Sequence, residues 1–224
     1  ERGKLDLNDP VGKYLKDVPE SWKPVSILQL MQHSSGIADY RAQKGFDVSA
    51  DYRPEQLIET VAALPLGFEP GTDVKQSATN FLLLTSIIEK AGKMPYHDFV
   101  KKYQIDYLGL RQTFFGEDLA KVKQEDVTTT GNVHQTFKKD RDYINPSETT
   151  TGYVEKDGRL VAAPAVSPTA LKGFSDIWAS AENVSHWDIG LAGSALVRET
   201  GKPGHVGKTP PPGHRQGGPP PGRA

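Results

Sequence analysis

The sequence predicts an α+β fold, on three observations. Apolar residues recur at three- and four-residue spacing through most of the first half. An Asp157-Gly158 pair then joins two short runs suited to strands, and a Ser-capped periodic segment follows from Ser180. A helix-rich block followed by a hairpin and a helix is the element order of α+β architecture. At 224 residues the chain suffices for one sizeable core, or for two small domains sharing an interface.

Taken in order, the first helix is expected at Ser26. Ser26-Ile27-Leu28-Gln29 is a capping-box pattern, in which the Ser hydroxyl and the Gln side chain satisfy two orphan N–H groups. Ile27, Leu28, Leu30 and Met31 give it an apolar face, and Gly36 offers a left-handed stop. Pro54 suits the first turn of a second helix through Leu57, Ile58 and Val61, which Pro65 ends. Residues 79–91 carry apolar side chains around most of the circumference, so this helix is expected to be buried, with Gly92 closing it. Pro95 opens a short helix through Phe99 and Val100. The runs 153–156 and 159–162 form a hairpin, because Asp157-Gly158 supplies the two positive-φ residues of a tight turn. In the last helix Val184, Trp187, Leu191 and Ala195 recur on one face.

Composition sets outer limits. The chain holds 27 Lys plus Arg against 28 Asp plus Glu, which gives no concentrated basic face for nucleic acid. There is no cysteine, so disulfides, thiolate metal sites and a Cys nucleophile are all excluded. No apolar run reaches the ~20 residues of a membrane span. The six histidines share no ligand spacing, and neither metal nor cofactor is expected. From residue 198 the character changes: seven Pro and seven Gly fill over half of the last 27 positions, with five basic residues against one acid. Such a segment buries too little surface to offset its conformational entropy, so 198–224 is expected to be a disordered basic tail beside a domain at 1–197.

Five segments in order then resemble one family. They are Gly3-Lys4-Leu5-Asp6-Leu7-Asn8-Asp9-Pro10-Val11; Leu30-Met31-Gln32-His33-Ser34-Ser35-Gly36-Ile37; Phe68-Glu69-Pro70-Gly71-Thr72 with Asn80-Phe81-Leu82-Leu83-Leu84; Tyr107-Leu108-Gly109-Leu110; and Ser167-Pro168-Thr169-Ala170 with Gly173-Phe174 and Ala179-Ser180-Ala181-Glu182-Asn183. Together they resemble the serine β-lactamase-related superfamily of class C β-lactamases, DD-peptidases and penicillin-binding-type esterases. The resemblance implies a β-lactamase/transpeptidase-like fold, an α-rich domain against a partial antiparallel sheet. It also implies an acyl-serine mechanism, a small-molecule or peptide substrate, and a periplasmic or extracellular setting. Oligomeric state stays open.

The same resemblance shows what this chain lacks. Those enzymes acylate a Ser activated by a Lys one helical turn later, and no Ser here is followed by Lys at the third position. Thr169-Ala170-Leu171-Lys172 has the spacing with Thr, but far from where the family places its nucleophile, and is read as coincidence. The resemblance puts the Ser-x-x-Lys helix ahead of residue 3 and further strands after 197, so the fold is expected to be incomplete at both ends. Alignment on Asn80-Phe81-Leu82 puts Gln76 in the family's Tyr slot and Ala78 in its Asn slot. Gln cannot titrate. No catalytic residue is therefore assigned; Gln76 and Ser77 are candidate substrate contacts only. His205-Val206-Gly207 matches the family's third element, but Pro-rich flanks cannot feed a sheet ladder. Gly207-Lys208-Thr209 lacks the first Gly of a phosphate loop, since 202 is Lys. His33 is expected to be structural, Trp178 and Trp187 to fill the core, and Lys121, Lys123, Lys138, Lys139 and Arg141 to be solvated. The expected function is thus that of a serine hydrolase scaffold without catalytic competence; the alternative is a non-catalytic relative that binds peptide or peptidoglycan.

Overall fold

The computed structural model describes residues 4–119, 127–130, 133–136, 150–193 and 195–196. The expected tail, its two motifs and the lysine-rich 121–141 positions lie outside them, apart from the backbone of two short strands. Helices in chain order are α1 (Val11–Tyr14), α2 (Ile27–Met31), α3 (Pro54–Ala62), α4 (Ala78–Gly92), α5 (Tyr96–Val100), α6 (Asp106–Leu108), α7 (Gly116–Leu119) and α8 (Ala181–Ala192). Strands are β1 (Thr113–Phe115), β2 (Val127–Thr130), β3 (Val133–Thr136), β4 (Tyr153–Lys156), β5 (Arg159–Ala162) and β6 (Ile177–Ala179). They pair antiparallel as β1–β6, β2–β3 and β4–β5. The α+β expectation holds.

The main core is built around α4. No residue from Ser77 to Glu89 is exposed, as its all-round apolar sequence predicts. Its Ala78, Leu82, Leu83 and Ile87 join Trp22, Leu30, Tyr40 and Val61 in one core. Its far end meets a second cluster of Tyr96, Val100, Ile105, Leu110 and Phe115, against which Ile88 packs. Fully burying Leu82 or Leu83 is worth roughly 1.5–3 kcal/mol each.

Local signals work where they are complete in themselves. The Ser26 capping box forms, with Ser26 Oγ accepting from Gln29 N–H at 3.1 Å and Gln29 Oε1 accepting from Ser26 N–H at 2.9 Å. Residues 7–12 are strapped beside it by backbone bonds such as Ile27 N–H to Asp9 O, 3.0 Å, and Val11 N–H to Val25 O, 2.8 Å. The hairpin turns at Asp157 (φ 52°) and Gly158 (φ 73°), pairing Lys156 with Arg159.

Stops and faces depart from expectation. The left-handed residue after α2 is His33 (φ 57°), three positions before Gly36. Gly36 is needed for a different reason: at φ 74° a Cβ there would lie 2.3 Å from the Phe68 carbonyl oxygen. After α4 the left-handed residue is Lys93 (φ 55°), not Gly92. In α8 Ser180 caps as expected, accepting from Asn183 N–H at 3.2 Å. The buried residues, however, are Asn183 and Gly190, with Trp187 half-buried. Val184 and Leu191 face solvent, and Ala195 lies beyond the helix. The reason is steric and polar: Gly190 lets Leu108 of α6 approach, and Asn183 Oδ1 accepts from Gln112 N–H at 2.8 Å. Trp178 also departs from its expected core role, at 40% exposed in β6. Trp187 packs on the second cluster while its indole N–H donates to Gln104 Oε1 at 2.9 Å.

Candidate functional site

The head of α4 is where the sequence placed the candidate contacts. Gln76 is exposed there, immediately ahead of the helix, whereas Ser77 and Ala78 are buried. The Ser77 hydroxyl donates to the Ala38 carbonyl at 3.3 Å, so it points back into the protein. Around it the 33–40 segment and the first turn of α4 share a buried polar network. Ser35 Oγ donates to Asn80 Oδ1 at 2.7 Å; Thr79 Oγ1 donates to Ala38 O at 2.7 Å and accepts from Tyr40 N–H at 3.1 Å. His33 Nδ1 accepts from Ser77 N–H at 3.3 Å and lies 3.3 Å from Asn80 Nδ2. Burial pushes the His33 imidazole below its usual pKa, which favours the neutral ring that such an acceptor requires. The histidine thus satisfies an orphan donor at the helix start. This network anchors the residues just after Gln76, and Gln76 itself can offer a neutral amide to a ligand.

A second concave site lies toward the other end of α4. A cavity of about 280 Å³ is lined from five separate stretches, including Tyr52, Glu89, Tyr96, His97, Phe115 and Asp176. Ser77 and Glu89 are twelve residues apart on or beside one helix, which at 1.5 Å per residue puts the two sites roughly 18 Å apart. Phe115 packs edge-on against Tyr96, with ring centres 5.6 Å apart. Burial pushes the Tyr96 phenol well above the usual tyrosine range. His97 is only partly buried. Burial there opposes its charge, but hydrogen bonds to Asp118 (2.9 Å) and Asp98 (3.1 Å) more than offset this and raise its pKa. Burial likewise raises the Asp176 carboxyl, against the opposing N–H bond from Gly173 at 2.9 Å.

Thr169 and Lys172 both line this cavity, each with hydrogen-bond partners of its own. Thr169 Oγ1 accepts from Tyr52 N–H at 2.9 Å, and Lys172 Nζ is held by Glu89 Oε1 at 3.2 Å. Sequence reasoning had no route to this cavity. Its lining spans positions 52 to 176, and no local motif links them.

Comparison with known proteins bears on the family and the fold. The beta-lactamase family model matches residues 1–222. A penicillin-binding protein of Bacillus subtilis is 31% identical over 117 residues, half of this chain and 26% of that protein. A Salmonella typhimurium protein assigned as a D-alanyl-D-alanine carboxypeptidase is 27% identical over 123 residues, half of this chain and 28% of the relative. Among solved structures, a D-stereospecific amidohydrolase from Streptomyces superposes with TM-score 0.69 at 21% identity, over 89% of this chain and 57% of that one. The octameric penicillin-binding protein homologue of Pyrococcus abyssi gives 0.61 at 24%, over 88% of this chain and 42% of that one. The chain therefore spans about a quarter of the curated relatives it matches and about half of the solved structures. Fold, motif order and family match converge: this chain belongs to the beta-lactamase family of serine hydrolases and penicillin-binding proteins.

Proposed function

We propose that the chain carries the helical scaffold of an acyl-serine hydrolase and that these 224 residues do not turn over substrate by themselves. The observation that carries this is the head of α4. The position where the family resemblance expects an ionisable phenol holds Gln76, and no Ser in the sequence has Lys three residues on. Acyl transfer needs a hydroxyl stripped of its proton, and the proton must then reach the leaving group. An amide side chain can hold a carbonyl in place but cannot move that proton.

For the substrate class, the relatives' names supply the guide. A D-alanyl-D-alanine carboxypeptidase, a D-stereospecific amidohydrolase and a D-amino acid amidase all act beside a D-configured residue. We assign that chemistry, an amide next to a D-residue, to the ligand that Gln76 would face. The test is treatment of the purified chain with a fluorescent penicillin and with D-phenylalanine p-nitroanilide. Neither covalent labelling nor nitroaniline release is expected. A penicilloyl adduct mapped to any serine by mass spectrometry overturns the proposal.

A further inference from the structure

We propose that the cavity between α4, α5, β1 and the 168–176 segment is a binding site for a small organic ammonium ion with an apolar body. The first observation is a buried carboxylate, Asp176, without a direct ion pair among the described residues. Asp176 is 8% exposed and lines the cavity. Its carboxylate accepts the Gly173 N–H at 2.9 Å, and among the described residues no Lys, Arg or His nitrogen forms an ion pair with it. Lys172 also lines the cavity and attracts the Asp176 carboxylate from a distance, but its ion pair is made with another acid. Lys172 is held by Glu89, and His97 lies between Asp98 and Asp118. A carboxylate this deeply buried is costly without a direct ion-pair partner, and a cation entering the cavity would supply one.

The second observation is the wall chemistry. Tyr52, Tyr96 and Phe115 give the cavity aromatic sides, and aromatic rings attract cations through their quadrupole. The volume of about 280 Å³ lies just below the usual range for drug-sized ligands, so the occupant is small. Aromatic walls with a buried carboxylate select an ammonium head over a neutral or anionic group of the same shape, because only the cation gains from both. The site is separate from the head of α4, and its test reads binding rather than turnover. Its failure therefore leaves the proposed function untouched, and the reverse also holds.

The experiment is titration of the full chain with benzylammonium chloride near neutral pH, followed by calorimetry and ligand-observed NMR. Benzyl alcohol and phenylacetate serve as neutral and anionic partners of the same shape. Saturable binding of one equivalent of benzylammonium is expected, at least tenfold tighter than benzyl alcohol and with no phenylacetate binding. Asp176→Asn keeps an oxygen to accept from Gly173 and removes the charge; it should weaken benzylammonium at least tenfold while leaving benzyl alcohol unchanged. If Asp176→Asn fails to fold, the comparison of the three probes on the unaltered chain still decides. Equal binding of alcohol and ammonium, or no saturable ammonium binding at millimolar concentration, overturns the proposal and leaves a solvated cavity only.

Discussion

Two histidines carry opposite pH signatures, and each follows from its neighbours. His33 is pushed toward neutrality by burial, so the folded state binds its proton less tightly than the unfolded chain does. Stability from this site is present above the unfolded pKa of about 6.5 and is lost as pH falls from there through the lower folded value. For His97 burial also opposes the charge, but the Asp118 and Asp98 hydrogen bonds outweigh it and raise the folded pKa. Its contribution is complete below about pH 6.5 and is lost as pH rises through the higher folded value. Urea unfolding at a series of pH values checks both signs. His97→Gln should flatten the decline of stability on the alkaline side of neutrality. His33→Asn, which tolerates the left-handed φ of 57°, should flatten the decline on the acid side. At the acid extreme Asp9 acts with the same sign as His33: hydrogen bonds from Lys13 and Tyr14 lower its carboxyl to about 2, and what they contribute is lost as pH falls toward that value.

At the scale of elements, short helices depend on their ends. α2 has five residues, too few to sustain itself through propagation. Its capping box and the strap of residues 7–12 hold it in place. Ser26→Ala removes an acceptor from the Gln29 N–H and should cost about 1 kcal/mol by urea denaturation. The β4–β5 hairpin is the converse case. All eight of its strand residues are exposed, so its turn chemistry defines it while little packing supports it. α8 shows how an element can be foreseen and its orientation missed. Its cap follows from sequence, but its end before Ala195 is set by the fold, and its buried face follows from Asn183 and Gly190, residues that a hydrophobic period passes over.

For the whole molecule, the unburied apolar surface matters most. Ile177 and Trp178 on β6, and Val184, Ile189 and Leu191 on α8, are all exposed, Ile189 at 69%. Consecutive elements with such side chains in water favour association. Sedimentation velocity of the purified chain should show concentration-dependent association. The double variant Val184→Lys, Ile189→Lys should reduce it without lowering the melting temperature, because neither side chain is in the core. Among the described residues no helix is long and apolar enough to cross a membrane.

The residues alone determined the caps at Ser26 and Ser180, the Asp157-Gly158 turn, the burial of α4, the family, and the absence of Ser-x-x-Lys. Each depends on groups a few positions apart, or on motifs in order along the chain, and a linear reading captures both. Tertiary structure decided the rest. It placed the left-handed turn at His33, whose ring accepts from Ser77 N–H, 44 residues away. It turned the Ser77 hydroxyl inward to Ala38. It also joined Tyr40 OH to the Ala170 carbonyl at 2.9 Å across 130 residues and enclosed a cavity between segments without a shared pattern. Burial and enclosure are properties of what packs together, and distant partners are not written in any local stretch of sequence.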